Sequence, residues 1–339
     1  MNGYERIMTA MRLGQPDRVP ISEFLIDRKV YRYFFPDAES QMDLEIAWDM
    51  DAVGCGAEFF ITDEISENEF IDEWGVRYKR NEEHVAHPVR GCVFSREDLK
   101  KYTPPDPEHP ERLGRLPELV KRFKGEKAII FRHRAAFMWS CYLMGIDKML
   151  MNFILEPQLC RDLMDLVLDA NIRIVRRAVR AGADIVVLGD DYAHNGGPMM
   201  SPEVFAEFIL PRLQKMVDAI HEEGAMVIKH TDGNIMKIIE PIVNTGIEGL
   251  NPLEPTAGMD IGAIKKLYGD RVCLWGNIDC GDLLSHGTRE QVEQAVIKCI
   301  KDAGNGGGFV LSSSNSIHSS VIPENFRAMV EAGKKYGKY

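Results

Sequence analysis

A single (β/α)8 TIM barrel with a β-hairpin inserted after its second strand is the fold class the sequence predicts, and two observations predict it. Eight short runs rich in Val, Ile, Leu and Ala, each the length of a buried strand, recur along the 339 residues, and a helical pattern follows almost every one. The clearest runs lie in DIVVLGDDYAHNGG (184–197), AMVIKHTDGN (225–234), GIEGLNPLEP (246–255), VCLWGNIDC (272–280) and GFVLSSSNSIH (308–318). Each passes directly into His, Asp, Glu, Cys, Asn or Ser. Barrel enzymes keep their working groups where the strands end, so the pattern marks a site as well as a fold.

The elements follow in order. Residues 2–13 form an opening helix stopped by Gly14 and Pro16, and VPISEFLI (19–26) is the first strand. A helix over 38–50 leads to the second strand, DAVGCG (51–56). Residues 57–92 break the rhythm, and alternation in FIDEWGVRYKR and HVAHPVRGCVF predicts the inserted hairpin. Trp74 at its EWG turn either packs the insertion or helps it close over the mouth. KYTPPDPEHPERLG (101–114) is a surface loop within one domain spanning 1–339, because strand-helix alternation resumes straight after it. Strand three is 128–134, strand four 184–189, strand five 225–230, strand six 247–253, strand seven 271–277 and strand eight 308–312. The helix over 201–224 has Ser201 as cap and Pro202 in its first turn, with Pro211 expected to kink it.

Bulk composition excludes several classes. Forty-one basic against 52 acidic residues give a net charge of −11 with no basic block, which argues against nucleic acid and anionic membrane surfaces as partners. The N-terminus lacks the apolar core of a secretory signal, and no stretch approaches the ~20 apolar residues needed to span a bilayer. Seven scattered cysteines without a CxxC read as reduced thiols, and a cytoplasmic location is expected.

Three strand ends carry candidate chemistry. His230 and Asp232, separated by one residue after strand five, can converge on one ion or substrate. With Glu254 after strand six and Cys280 after strand seven they make a donor set that zinc accepts. The alternatives are a His–Asp pair that braces its loop and a Cys280 that is a small buried hydrophobe. Asp190 and Asp191, followed by His194 in a glycine-rich turn, are candidates for acid-base or substrate-orienting work; an Asp pair capping the turn is the plainer possibility. Ser312–His318 is a small polar loop suited to close ligand approach, and contains Asn315. His133 and Arg134 end strand three, where Arg134 can meet an anion or join an ion pair. Asn277 ends strand seven. No GxSxG, P-loop or dinucleotide fingerprint is present.

Together the opening NGYERIMTAMRLGQPDRVP, the segment SPEVFAEFILPRLQKMVDAIHEEG, the strand-five His, WGNIDCGDLL and GGGFVLSSSNSIHSSVIPENFRAMVEA resemble the uroporphyrinogen decarboxylase superfamily and its cobalamin-dependent methyltransferase branch. In the decarboxylases the resemblance implies an arginine-rich N-terminal segment, an aspartate after the second strand, and a strand-eight histidine. Here VPISEFLIDRKVYRYF lacks those arginines, Asp63 stands only loosely near the aspartate, and Asn315 occupies the place of the histidine. A substrate with eight carboxylates needs several arginines.

In the methyltransferase branch the resemblance implies zinc on a His-x-Cys pair after strand five and a Cys after strand eight. His230 matches; Asp232 and Asn315 replace the two cysteines. An oxygen-rich set of His230, Asp232, Glu254 and Cys280 suits polarising a substrate oxygen better than holding a thiolate. The expectation is therefore a methyltransferase moving a methyl group from a small methylated donor, of the methoxylated kind, to a cobalamin-carrying corrinoid protein. His230, Asp232, Asp190 and Asp191 are its expected catalytic groups. His194, Asn277, Asn315, His133 and Arg134 are expected to shape the substrate pocket. A homodimer is also expected. The competing expectations are a metal-free decarboxylase and a non-enzymatic corrinoid- or tetrapyrrole-binding protein.

Overall fold

The computed structural model describes residues 1–81 and 86–339. Seven of the eight sequence-predicted strands form one curled parallel sheet. Its strands are β1 (Ala52–Gly56), β6 (Ala128–His133), β7 (Ile185–Gly189), β10 (Met226–His230), β11 (Gly249–Asn251), β12 (Cys273–Ile278) and β13 (Phe309–Ser313), adjacent in that order. Parallel strands covered on both faces read as near-continuous apolar runs, which is why they were visible in the sequence. Side chains nonetheless alternate. Ile130, Ile185, Val187, Ile228, Cys273, Trp275 and Val310 pack inside with Ile7, Met8 and Met11 of the opening helix Gly3–Met11. Ile129 and Phe131 face outward onto Leu116, Leu119 and Ile174 of the covering helices. The opening helix is held by a capping box between Asn2 and Glu5.

Residues 19–26 correct the expected first strand. They make two isolated parallel bridges, Ile21 with Leu311 and Ile26 with Ile317, and no regular strand. Pro20 has no N–H to donate, although its carbonyl accepts from Leu311. Side chains take the remaining places: the Ile21 N–H donates to Asp51 Oδ2, and the Ser313 N–H donates to Glu23 Oε1. The segment still reaches both edges of the sheet, because the Asp51 N–H donates to the Ile21 carbonyl and the Ser22 N–H to that of Leu311.

The insertion after β1 is larger than the expected hairpin. It is a four-stranded antiparallel sheet of β2 (Ile61–Ser66), β3 (Glu69–Asp72), β4 (Arg77–Lys79) and β5 (His87–Arg90), in that order. The part of the hairpin expectation that falls on residues 82–85 lies outside the described residues. Trp74 packs: it is fully buried and stacks on Trp139 with ring centroids 4.5 Å apart. A buried Arg112, paired with Glu73 (Nη2–Oε2 2.8 Å), ties the proline-rich loop to the insertion. After β7, the two-residue strands β8 (Ala193–His194) and β9 (Gly197–Pro198) pair as a short hairpin. A π-helical turn at Phe205–Ile209 precedes Pro211, which falls in the first turn of the helix Leu210–Glu222, where its missing N–H costs little.

Candidate active site

Inward alternation along the strands carries Arg132 and His230 to the C-terminal mouth of the sheet, the next inward positions after Ile130 and Ile228. They line a cavity of about 900 Å³ together with Asp191, Asp232, Asn315 and the rings of Phe24, Phe59 and Trp139. The inserted sheet contributes His87 to its wall. The cavity is where a barrel-type fold places its chemistry.

Asp191, His230 and Asp232 form a compact three-donor group. One ligand atom from each lies within 4.8 Å of the others. The pairing of β7 with β10 sets His230 opposite Gly189, so Asp191 and Asp232 follow at matching positions. The Asp232 N–H donates to Asp191 Oδ1 at 3.2 Å, locking the two loops together. His230 Nδ1 donates to Asn251 Oδ1, whose amide is oriented by its own N–H bond to the Trp275 carbonyl. That contact leaves Nε2 facing Asp232 Oδ1, 3.3 Å away, and Asp191 Oδ1, 3.9 Å away. Asp232 Oδ1 is buried and, apart from the His230 Nε2 contact, has no hydrogen-bond partner among the described residues. Burial pushes the Asp232 carboxyl up to about 6, with the charges of Asp191 and Glu254 adding and His230 and Asn315 opposing. An imidazole nitrogen and two carboxylates facing one another in this way call for a cation or a proton. One nitrogen and two carboxylates are a donor set that zinc and harder divalent ions accept, so the residues present fit a metal.

The other expected metal donors stand outside this group. Glu254 accepts the Gly233 N–H at 2.7 Å and Asn315 Nδ2 at 3.2 Å, and so braces the loop beneath Asp232. Gly233 has φ of +80°, and a Cβ there would approach Ala193 and His194 backbone to 2.6 Å, so only glycine passes. Cys280 is buried, its thiol is 3.7 Å from Ser314 Oγ, and burial pushes it up to about 12, far from a thiolate at neutral pH.

The adjacent acids divide their roles. Asp191 faces the cavity, whereas Asp190 is fully buried and accepts the N–H groups of Ala135, Ala136 and Met138 at 3.0–3.1 Å. It caps the helix Phe137–Met144 and not the helix that follows it in sequence. Among the expected pocket residues, Asn315, His133 and Arg134 line the cavity. His133 Nε2 meets Asn171 Oδ1 at 3.0 Å, and burial lowers the ring to about 3, so it is neutral. His194 is exposed on the β8–β9 hairpin, with Nδ1 accepting the Gly196 N–H, and it is absent from the cavity lining. Asn277 binds the carbonyls of Leu253 and Met259 and borders a separate cavity of about 460 Å³.

Sequence reasoning missed Lys229 and Asn251. Lys229 is fully buried under the site, donates to the Leu188, Asp190 and His230 carbonyls, and lies 4.2 Å from the Tyr192 ring centroid. Burial lowers it to about 8, against the pull of Asp190, Asp191 and Asp232. A lysine in the middle of an apolar strand run was the available signal.

The uroporphyrinogen decarboxylase (URO-D) family model matches residues 73–336, leaving the opening segment outside the match. Curated relatives include the uroporphyrinogen decarboxylase of Pseudoalteromonas atlantica, 28% identical over 258 residues (72% of this chain and 69% of that protein). That of Colwellia psychrerythraea is 29% identical over 260 residues, covering 73% and 70%. A solved methyltransferase from Methanosarcina mazei shares the fold, with TM-score 0.78 and 18% identity over 99% of both chains. No described helix is long and apolar enough to cross a membrane. With more than three-quarters of its length matched, the chain belongs to the uroporphyrinogen decarboxylase family.

Proposed function

We propose that this family member is a corrinoid-dependent methyltransferase. It takes a methyl group from a small methoxylated donor and passes it to the cobalamin of a partner protein. Its fold is a (β/α)8 barrel whose eighth staves position is held by residues 20–26. The observation that carries the reading is the Asp191–His230–Asp232 group, with its buried Asp232 Oδ1, set in the wall of a cavity of about 900 Å³. Asp191, His230 and Asp232 would hold a zinc ion, which would supply Lewis-acid polarisation of the donor oxygen. Asn251 fixes the His230 tautomer that this requires. In place of a metal, the Asp232 carboxyl, pushed up to about 6 by burial, would supply the proton that a departing alkoxide needs. Metal and proton are alternative answers to the same demand. Phe24, Phe59 and Trp139 present apolar faces that exclude water from the donor.

Decarboxylation is the second reading, favoured by what the relatives are named. The two separate on metal content and product. Protein purified without added metal is expected to carry near-stoichiometric zinc, lost in His230→Ala and kept in Cys280→Ser. With reduced corrinoid protein it is expected to release the demethylated donor. No metal in the wild type, together with carbon dioxide release from a carboxylated substrate and no methyl transfer, overturns the proposal.

A further inference from the structure

Arg134 is a charged cavity residue outside the three-donor group. It follows the last residue of β6 and lines the cavity. Its Nε is buried and has no hydrogen-bond partner among the described residues. Its Nη2 reaches only the Tyr142 hydroxyl, at a long 3.4 Å, and the guanidinium carbon stands 5.6 Å from the Tyr142 ring centroid. Among the described residues no carboxylate lies within ion-pair distance, 4.0 Å. Asp190 and Asp191 act on it only at longer range, and Asp190 is already committed to three backbone N–H groups. The buried Arg112 and Arg212 each have a carboxylate partner, Glu73 and Asp165, whereas Arg132, which lines the same cavity, donates to the Phe24 carbonyl and, like Arg134, has no carboxylate within 4.0 Å among the described residues. A guanidinium cannot shed its proton to relieve burial, so a cavity-lining cation with no carboxylate partner is a site for an anion.

We propose that Arg134 receives an anionic group of the substrate, a carboxylate or phosphate, and so sets the class of molecule the cavity takes. The Tyr142 hydroxyl stands beside it as a further donor. Phe59 and Trp139, packed edge-to-face with ring centroids 5.1 Å apart, line the cavity with it and offer apolar contact to the body of the ligand. The anion anchors one end while the Asp191–His230–Asp232 group meets another. The inference rests on the proposed use of this cavity for the methyl donor, but its test does not require turnover.

Calorimetric titration of the full-length protein with 4-methoxybenzoate and its neutral isostere 4-methoxybenzamide reads the charge preference directly. The carboxylate is expected to bind about 10-fold or more tightly than the amide, from a charge-assisted, fork-type contact. Arg134→Gln should bring the ratio close to one, and Arg134→Lys, which keeps the charge and loses the fork, should retain part of it. Thermal midpoints without ligand confirm that each variant is folded; if Arg134→Gln is not, Arg134→Lys carries the test. Displacement of the benzoate by inorganic phosphate supports the anion site and extends it to phosphorylated donors. Equal binding of acid and amide, an undiminished ratio in the folded variants, or no saturable binding of the acid overturns the proposal. Selective acid binding without methyl transfer sinks the methyltransferase reading alone, and methyl transfer from neutral donors only sinks the anion site alone.

Discussion

Replacing each of the adjacent acids Asp190 and Asp191 by Ala should separate scaffold from chemistry. In the Asp190→Ala protein the N–H groups of Ala135, Ala136 and Met138, all at 3.0–3.1 Å from the lost carboxylate, have no acceptor. Hydrogen bonds to a charged acceptor contribute about 1.5–3 kcal/mol each, so three of them set a ceiling on the order of 5–9 kcal/mol. Water entry and relaxation of the helix start return part of that. We therefore expect a loss on the order of 3–5 kcal/mol, a large share of the usual stability of a folded protein. The loss also removes a negative charge that offsets buried Lys229. Asp191→Ala gives up one N–H contact, from Asp232, in a half-buried setting, and should cost about 1 kcal/mol. Urea unfolding followed by circular dichroism, with unchanged m-values, measures both. Asp190→Ala within about 1 kcal/mol of wild type would refute the capping argument. So would a loss in Asp191→Ala equal to that in Asp190→Ala.

Two further outcomes follow from buried contacts. Burial pushes Glu23 from its ordinary 4.5 up to about 8, so the folded state holds a proton that the unfolded chain gives up above about 4.5. That contribution to stability is full below 4.5 and fades as pH rises through 8, at up to ~1.4 kcal/mol per pH unit. Wild type should lose on the order of 1–3 kcal/mol between about pH 6 and pH 8 from this group, and Glu23→Gln, which keeps contact with Ser313, should flatten the slope. An identical pH profile in the variant would count against a protonated Glu23. Asn251→Ala removes the acceptor that fixes His230 Nδ1–H. Metal affinity, read by competition with a chelator, should fall about 10- to 100-fold with the fold intact. Unchanged affinity would mean that Asn251 does not set the tautomer.

How much of this was legible in the sequence depends on which force decides each feature. The seven sheet strands were legible because double-sided burial writes itself as apolar runs, and strand ends located the mouth. The His230–Asp232 spacing was legible for the same reason, since residues two apart leave a strand on one side. Residues 19–26 misled because their apolar pattern hides a substitution: Glu23 and Asp51 side chains take bonds that a strand's backbone would make. The insertion was underestimated because its β2 is exposed along its whole length and lacks the alternation that marks a half-buried strand.

Side-chain direction is the deeper limit. Loop proximity names Glu254 and Cys280 as ligands, yet one serves the Gly233 N–H and the other is buried beside Ser314. Proximity likewise gives Asp190 and Asp191 one role, whereas one turns toward backbone N–H groups and its neighbour toward the cavity. Asn251, at the last position of β11, reads as one more polar residue at a strand end. Its importance comes from facing a particular nitrogen of His230. Sequence position locates a functional residue along the chain, but only direction tells whether it faces the substrate or holds the residue that does.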